Sequence, residues 1–162
     1  MNLYFIRHGK AEPASPLKKD KDRELTNEGI KILTASVDAW KYFIKEFDFI
    51  LTSPLLRAVQ TSEIVSKVIG FKGVVLKENL LLPGSSTSPL IELAKLLDGK
   101  NIAFVGHQPD LSFHTSGLIC KTEVNLKFSP GTIAKISFEG KPKLGRGELV
   151  FFLPPVIPDK KG

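Results

Sequence analysis

Arginine, histidine and glycine occupy positions 7–9, directly after the apolar run Leu3–Ile6. Such a run is typical of a buried strand, and the exits of strands are where open α/β sheets bind ligands. This order places an imidazole and a permanently charged guanidinium at a sheet edge, beside a residue with no side chain. A histidine in that setting is suited to attack on a phosphoryl group.

Three later segments carry polar residues that could join this histidine. Arg23 precedes the first long helical pattern, and Arg57 falls in the first turn of a helix that follows a strand. His107 comes directly after the apolar run 102–105. Because the carboxyl ends of parallel strands gather at one sheet edge, we expect the segments around His8, Arg57 and His107 to meet there.

The chemistry requires His8 in a particular protonation state. An imidazole is nucleophilic when one ring nitrogen is unprotonated, so the other must donate its hydrogen to a fixed acceptor. A backbone carbonyl near Gly9 is the candidate acceptor, and the glycine would let the chain turn sharply and the substrate approach closely. Arginines aimed at the three equatorial oxygens of a phosphoryl group would lower the barrier without a metal.

The elements that must position these residues alternate between strand and helix patterns. This predicts an α/β fold with a mostly parallel open sheet and helices on both faces. Strands are predicted at 3–6, 49–51, 74–76, 102–105, 132–138 and 148–153. Thr26 is the expected N-cap of a first helix, whose apolar stripe runs from Ile30 to Phe47. A short helix is expected after Pro109.

Serine–proline pairs and glycines mark the other helix ends. Ser53-Pro54 and Ser88-Pro89 are typical of helix starts, and Gly70 and Gly99 of helix stops. In this interpretation Ser53 is a helix cap and no nucleophile. His114 is expected to pack or to lie on the surface, and residues 84–86 to form a flexible loop.

Length and composition favour one domain over residues 1–153, followed by a loosely ordered tail at 154–162. The net charge of +6 is spread over scattered lysines with no basic stripe among aromatics, so nucleic acid is not an expected partner. No apolar stretch approaches the roughly 18 residues of a membrane span, and no signal peptide is seen. The oligomeric state stays open.

Histidine and cysteine usage bears on cofactors and compartment. The three histidines are not spaced as a metal site, so no metal or other cofactor is expected. The lone Cys120 is compatible with a reducing cytosol, and the predicted location is cytoplasmic.

The four polar segments, taken in order, resemble those of the histidine phosphatase superfamily, the phosphoglycerate-mutase-like proteins, and most of all its small SixA-type protein-histidine phosphatases. The matching pieces are Phe5 to Ala11, the Arg23…Leu25-Thr26…Gly29 element, Ser53-Pro54…Arg57-Ala58…Gln60-Thr61, Gly106-His107…Pro109 and, less specifically, Phe128 to Phe138. Together they span most of the chain.

This resemblance implies a phosphoglycerate-mutase-like fold without a lid insertion and a metal-independent phosphatase with a phosphohistidine intermediate. His8 would be the nucleophile. The residues holding the phosphoryl group would be Arg7, Arg57 and His107. Arg23 matches an extra arginine of SixA-like members, and Gly9 would lie against the substrate. The implied partner is a protein carrying a phosphohistidine domain.

The proton donor is less clearly marked. Phosphoester-cleaving relatives use a carboxylic acid after the third strand, and here the region 77–83 is mostly apolar, with Glu78 as its one carboxylate. An imidazole leaving group needs less acid assistance than an alkoxide, which favours phosphohistidine or another phosphoramidate. Two alternatives remain: a phosphomonoesterase acting on a small metabolite or sugar phosphate, with Glu78 as possible donor, and a phosphate-binding module without catalysis.

Overall fold

In a computed structural model that describes residues 1–122 and 124–157, six strands form one mixed sheet. The strands are β1 (Asn2–Arg7), β2 (Phe49–Thr52), β3 (Leu76–Lys77), β4 (Asn101–Gly106), β5 (Ile133–Ser137) and β6 (Glu148–Leu153). Their order across the sheet is β3-β2-β4-β1-β5-β6. The first four in this order are parallel, and β5 runs antiparallel to both β1 and β6. The predicted mostly parallel sheet is confirmed.

Four helices cover the two faces of the sheet within the described residues. They are α1 (Asn27–Trp40), α2 (Leu56–Ile69), α3 (Thr87–Leu96) and α4 (Asp110–Ile119). Successive side chains of a strand point to opposite faces, so Tyr4 and Ile6 join the core under α1 and α2. Leu3 and Phe5 join the other core, under α3 and α4. Helices on both faces were predicted and are confirmed.

The first helix begins as predicted but ends earlier. Thr26 is its N-cap, and the Thr26 hydroxyl accepts a hydrogen bond from the Gly29 N–H at 3.0 Å. The helix stops at Trp40, although Ile44 and Phe47 beyond it are still buried in the same core. The predicted stripe therefore gives the burial of Ile44 and Phe47 correctly and overstates the helix length. Ile30, at the start of the stripe, is exposed.

The prediction that the two serine–proline pairs mark helix starts was wrong. Helix α2 begins at Leu56 with Leu55 as its N-cap, and Ser53 continues the pairing of β2 by donating its N–H to the Val105 carbonyl at 3.0 Å. Helix α3 begins one residue before Ser88 and ends at Leu96, ahead of Gly99. The stop at Gly70 is confirmed by its left-handed backbone, with φ of 79°.

Two further boundaries differ from expectation. Strand β3 has two residues and is an edge strand paired only with β2, and Val74 of the predicted strand is exposed and lies outside it. In the C-terminal segment the Val156 N–H donates to the Ser36 hydroxyl at 2.8 Å, while residues 158–162 of the predicted tail lie outside the described residues. In the described part of the chain, no helix combines the length and apolar character needed to cross a membrane.

The first turn of α1 packs directly on the segment that follows β1. The Lys10 carbonyl accepts a hydrogen bond from the Thr26 N–H at 2.9 Å. A Cβ atom built on Gly29 would lie 2.1 Å from that same carbonyl oxygen, far inside van der Waals contact. Only glycine lets the helix approach this closely, and the contact fixes the backbone two residues after His8.

We therefore expect Gly29→Ala to destabilise the protein, although alanine normally favours a helix over glycine. Relieving the overlap should cost about 1–3 kcal/mol, which lowers the melting temperature by roughly 2–10 °C in a chain of this size. Thermal unfolding followed by circular dichroism measures the change. Gly140→Ala is the matched control, since its Cβ would meet no atom within 4 Å. An equal effect of both variants would contradict this account.

Candidate active site

Three neighbouring strands end side by side and deliver the first residues of the site. Arg7, the last residue of β1, is in register with Gly106, the last residue of β4. On the other side of β4, Thr52 at the end of β2 pairs with Val105. The residues that follow these ends are His8, Ser53 and His107, so the sheet edge brings the two predicted histidines together.

The His8 ring is buried and its orientation is fixed by the backbone. Its Nδ1 lies 2.8 Å from the Gly9 carbonyl oxygen, which can only accept, so Nδ1 carries the hydrogen and donates it. The His8 N–H donates to the Gly106 carbonyl at 3.1 Å. The unprotonated nitrogen is therefore Nε2, the atom that could attack a phosphorus centre.

Gly9 has a reason to be glycine that differs from the expected sharp turn. Its backbone is not in the left-handed region that favours glycine. A Cβ atom at this position would instead lie 3.3 Å from the Leu25 side chain and 3.6 Å from the Gly29 carbonyl oxygen. The Gly9 N–H donates to the Thr61 hydroxyl of α2 at 3.0 Å. Close packing between β1, α1 and α2 thus holds the residue next to His8.

His107 is buried and faces His8. The centroids of the two rings are 5.1 Å apart. The Nε2 atom of His107 lies 2.8 Å from the Ser53 hydroxyl, while its Nδ1 is buried without a hydrogen-bond partner among the described residues. Ser53, expected as a helix cap, is instead the residue that orients this ring.

Arg7 lies on the other side of the site and is held by the segment before β5. Its Nη1 donates to the Phe128 carbonyl at 2.6 Å. Its Nε is buried and has no hydrogen-bond partner within the described ranges. This nitrogen can donate to a bound oxygen without giving up an existing bond.

Arg23 and Arg57 are brought together by a residue that the sequence reasoning missed. The two carboxylate oxygens of Asp20 accept hydrogen bonds from Arg23 Nη1 at 2.7 Å and from Arg57 Nη2 at 3.1 Å. Arg57 Nη1 also donates to the Asp20 main-chain carbonyl at 2.8 Å. Asp20 opens a short 3₁₀ turn, Asp20–Asp22, that lies against α2. The signal in the sequence, a run of alternating lysines and aspartates, is typical of any solvated surface.

The electrostatics of the site keep both facing histidines uncharged. Burial lowers the pKa of His8 to about 4; the Gly9 hydrogen bond opposes this shift, and the charges of Arg57, Arg7 and Arg23 add to it. Burial and the neighbouring His8 lower the pKa of His107 to about 3. At neutral pH both rings are therefore neutral beside fixed positive charges.

Glu78 lies next to this group in the fold. It follows β3, and its N–H donates to the Thr52 carbonyl at 2.8 Å, which places its backbone at the same sheet edge. Among the residues that the structure describes, no hydrogen bond or ion pair connects its carboxylate to His8, His107 or an arginine. Its assignment as proton donor therefore stays a prediction, since a donor to the leaving group need not contact these side chains before substrate binds.

His114 on α4 is buried and holds a neighbouring loop in place by hydrogen bonds. Its Nδ1 lies 2.8 Å from the Thr87 hydroxyl, and its Nε2 lies 3.3 Å from the Ser85 hydroxyl. The Asp110 carboxylate accepts a hydrogen bond from the Gly84 N–H at 2.8 Å. Residues 84–87 are thus tied to α4 by side chains, and burial lowers the pKa of His114 to about 4.

Comparison with known proteins identifies the class. Residues 3–81 match the model of the histidine phosphatase superfamily (branch 1). A curated relative, an uncharacterized protein of Picosynechococcus sp. strain PCC 7002, is 37% identical over 117 residues that cover 68% of each chain. The chain belongs to the histidine phosphatase superfamily.

Solved structures extend the likeness to almost the whole chain. The protein histidine phosphatase SixA complexed with tungstate matches with a TM-score of 0.82 and 23% identity, covering 95% of this chain and 97% of that one. The SixA protein of Agrobacterium tumefaciens gives 0.80 and 20%, with the same coverage. A phosphoserine phosphatase of Entamoeba histolytica gives 0.69 and 21%, covering 93% and 95%. At these identities the likeness is one of fold, and it confirms the phosphoglycerate-mutase-like architecture.

The buried neutral histidines predict a loss of stability in mild acid. Because the pKa values of His8, His107 and His114 are depressed in the folded state, the unfolded chain binds more protons below pH 6.5. The free energy of unfolding should fall as the pH drops from about 6.5 towards 4, by on the order of 1–2 kcal/mol per histidine at pH 5.

Urea unfolding at pH 7.5 and pH 5.0 measures this difference at constant ionic strength. Proton NMR of the histidine rings in the folded protein provides the control, since all three rings should still be neutral at pH 6. Equal stability at the two pH values, or rings that titrate near 6.5, would contradict the electrostatic description.

Proposed function

We propose that this protein is a metal-independent phosphatase that transfers a phosphoryl group to His8 and then to water, with phosphohistidine on a protein as its substrate. The observation that carries the proposal is a neutral, oriented His8 facing His107 beside three arginines. The family supports a phosphatase; the choice of phosphohistidine rests on the leaving-group argument below.

The first step is attack by Nε2 of His8 on phosphorus. The new N–P bond forms as the bond from phosphorus to the leaving nitrogen of the substrate imidazole breaks, and that nitrogen takes a proton from water, whose hydroxide is neutralised by the proton that the attacking water releases in the second step. As His8 becomes positively charged, the hydrogen bond from Nδ1 to the Gly9 carbonyl strengthens, since it is now donated by a cation. Water then attacks phosphorus, which releases phosphate and restores the neutral ring.

Two nitrogen atoms of the site have no other hydrogen-bond partner in the part of the chain that the structure describes and can donate to the phosphoryl oxygens. Arg7 Nε and His107 Nδ1 are both buried and without partners among the described residues. If Nδ1 of His107 carries the hydrogen, its Nε2 accepts from the Ser53 hydroxyl. Donors held in place before the substrate arrives stabilise the transition state without reorganisation.

The carboxylates around the site favour a leaving group that departs without a strong acid. In the described part of the chain, the Glu78 carboxylate forms no hydrogen bond or ion pair with the arginines or the histidines. The hydrogen bonds from Arg23 and Arg57 lower the pKa of Asp20, so that it stays ionised. The Asp110 carboxylate is directed to the Gly84 N–H. A phosphoramidate, whose nitrogen can be protonated by water, fits these conditions better than an alkyl phosphate.

A small phosphate ester is the second candidate substrate. It is favoured by the structural likeness to the phosphoserine phosphatase of Entamoeba histolytica. An alkoxide leaving group would need a proton donor, and Glu78 at the edge of the sheet is then the residue that would have to supply it. A module that binds phosphate without catalysis is the third possibility, and it would form no covalent intermediate.

The variant His8→Ala should abolish release of phosphate from a phosphohistidine-bearing phosphotransfer domain, because the attacking nitrogen is gone. In the wild type, rapid quenching with ³²P-labelled domain should trap acid-labile label on the phosphatase, and His8→Ala should trap none. Substrate-free His8→Ala should remain folded by circular dichroism. Turnover by this variant within about tenfold of wild type would rule out His8 as nucleophile, since losing a nucleophile costs orders of magnitude.

Glu78→Gln separates the two substrate classes. We expect less than about a twofold change in the rate of phosphohistidine hydrolysis, because imidazole leaves without its help. A panel of small phosphate esters is measured in parallel on the wild type and the variant. Fast turnover of an ester that falls at least about tenfold in Glu78→Gln, together with no phosphohistidine activity, would show that the enzyme is an esterase.

A further inference from the structure

We propose that the carboxylate of Asp20 is an internal anion that occupies the Arg23–Arg57 pair in the free protein and sets how tightly the site binds phosphate. The inference rests on the proposed function only in taking these arginines as ligands of the phosphoryl group. Asp20 would then be an affinity-determining residue, which competes with the substrate for the same donors.

The geometry is that of an oxyanion bound between two guanidinium groups. One oxygen of Asp20 accepts from Arg23 and the other from Arg57, at 2.7 and 3.1 Å, and the Asp20 main-chain carbonyl accepts a further hydrogen from Arg57. Both terminal nitrogens of Arg57 therefore already donate to a single residue. A phosphoryl oxygen that approaches the side of Arg57 facing Asp20 would have to displace it to reach the N–H groups that Asp20 uses, although Arg57 has further hydrogens.

The negative charge of Asp20 acts on His107. Among the influences on His107, those of burial, His8 and Arg57 lower its pKa, while Asp20 acts in the opposite direction. A negative charge that stabilises the protonated form of His107 also repels a phosphoryl dianion bound beside that ring. Asp20 thus opposes the substrate by its charge as well as by occupying donors.

Burial shows which partner can move. The side chain of Arg57 is 6% exposed and that of Arg23 is 20% exposed, whereas that of Asp20 is 60% exposed. Asp20 therefore covers the two arginines from the solvent side. Rotation of its side chain into water would free Arg57 Nη2 and Arg23 Nη1 without any change in the packed core, while the Asp20 main-chain carbonyl keeps its hydrogen bond from Arg57 Nη1.

The opposite interpretation is that Asp20 orients the arginines for substrate and so strengthens binding. The two interpretations predict changes of opposite sign when the charge is removed. Asp20→Asn keeps the shape of the side chain and one accepting oxygen, and it removes the negative charge. If Asp20 competes with the substrate, affinity for an oxyanion rises; if it orients the arginines, affinity falls.

The experiment measures binding of orthophosphate and of tungstate to the wild type and to Asp20→Asn by isothermal titration calorimetry at pH 7.5. We expect both anions to bind about tenfold more tightly to Asp20→Asn, the size expected when one nearby charge is removed at a partly exposed site. Asp22→Asn is the matched control: it lies in the same 3₁₀ turn, its carboxylate pairs with Lys21 at 3.4 Å, and it should bind as the wild type does.

A second variant, Asp20→Ser, guards against an effect peculiar to the asparagine amide, and it should also bind both anions more tightly than the wild type. Unchanged or weaker binding by both Asp20 variants, with normal far-ultraviolet circular dichroism, would overturn the inference. Absence of the phosphate site itself has a different signature: neither anion would bind to the wild type or to any variant. Since binding needs no turnover, a protein that binds phosphate without hydrolysing phosphohistidine still tests the role of Asp20.

Discussion

The chemistry inferred for this molecule depends on one electrostatic condition, an uncharged imidazole at His8 within reach of permanent cations. Burial disfavours the protonated ring, and the guanidinium groups of Arg57, Arg7 and Arg23 disfavour it further. The Gly9 carbonyl acts in the opposite direction, and it decides which ring nitrogen keeps the hydrogen. The cations that hold the ring neutral also attract a phosphoryl group, so activation of the nucleophile and binding of its target come from a single arrangement.

Main-chain packing maintains that arrangement. The register of β1 with β4 fixes where His8 and His107 leave the sheet. The Thr61 hydroxyl accepts a hydrogen bond from the Gly9 N–H, and the Gln60 side chain accepts one from the Leu25 N–H. These bonds join α2 to the segment after β1 and to the segment just before α1. Glycine at position 29 lets α1 come close enough to complete the contact. His8 is thus held by three elements that are distant in sequence.

The parts of the site that could be predicted from the sequence share one property: each follows a strand or begins a helix. Apolar runs show where strands end, and parallel strands bring those ends together, so the meeting of His8 and His107 follows from local pattern. Ser53 and Asp20 had ordinary local explanations, as a helix cap and as part of a charged surface. Their roles depend on partners 54 and 37 positions away, His107 and Arg57, which no local pattern reveals.

The same reasoning explains why a phosphate site should contain a carboxylate at all. A nearly buried guanidinium without a partner is costly in the folded state, and Arg57 shares Asp20 with a second arginine, Arg23, whose charge repels it. Asp20 offsets that cost whenever no ligand is bound. Because it carries a single charge and is largely exposed, it loses less on leaving than a phosphoryl dianion gains on arriving. The counter-ion that stabilises the empty site is therefore weak enough to be displaced, and this difference in charge and burial lets the same arginines be paired in the free protein and available to a ligand.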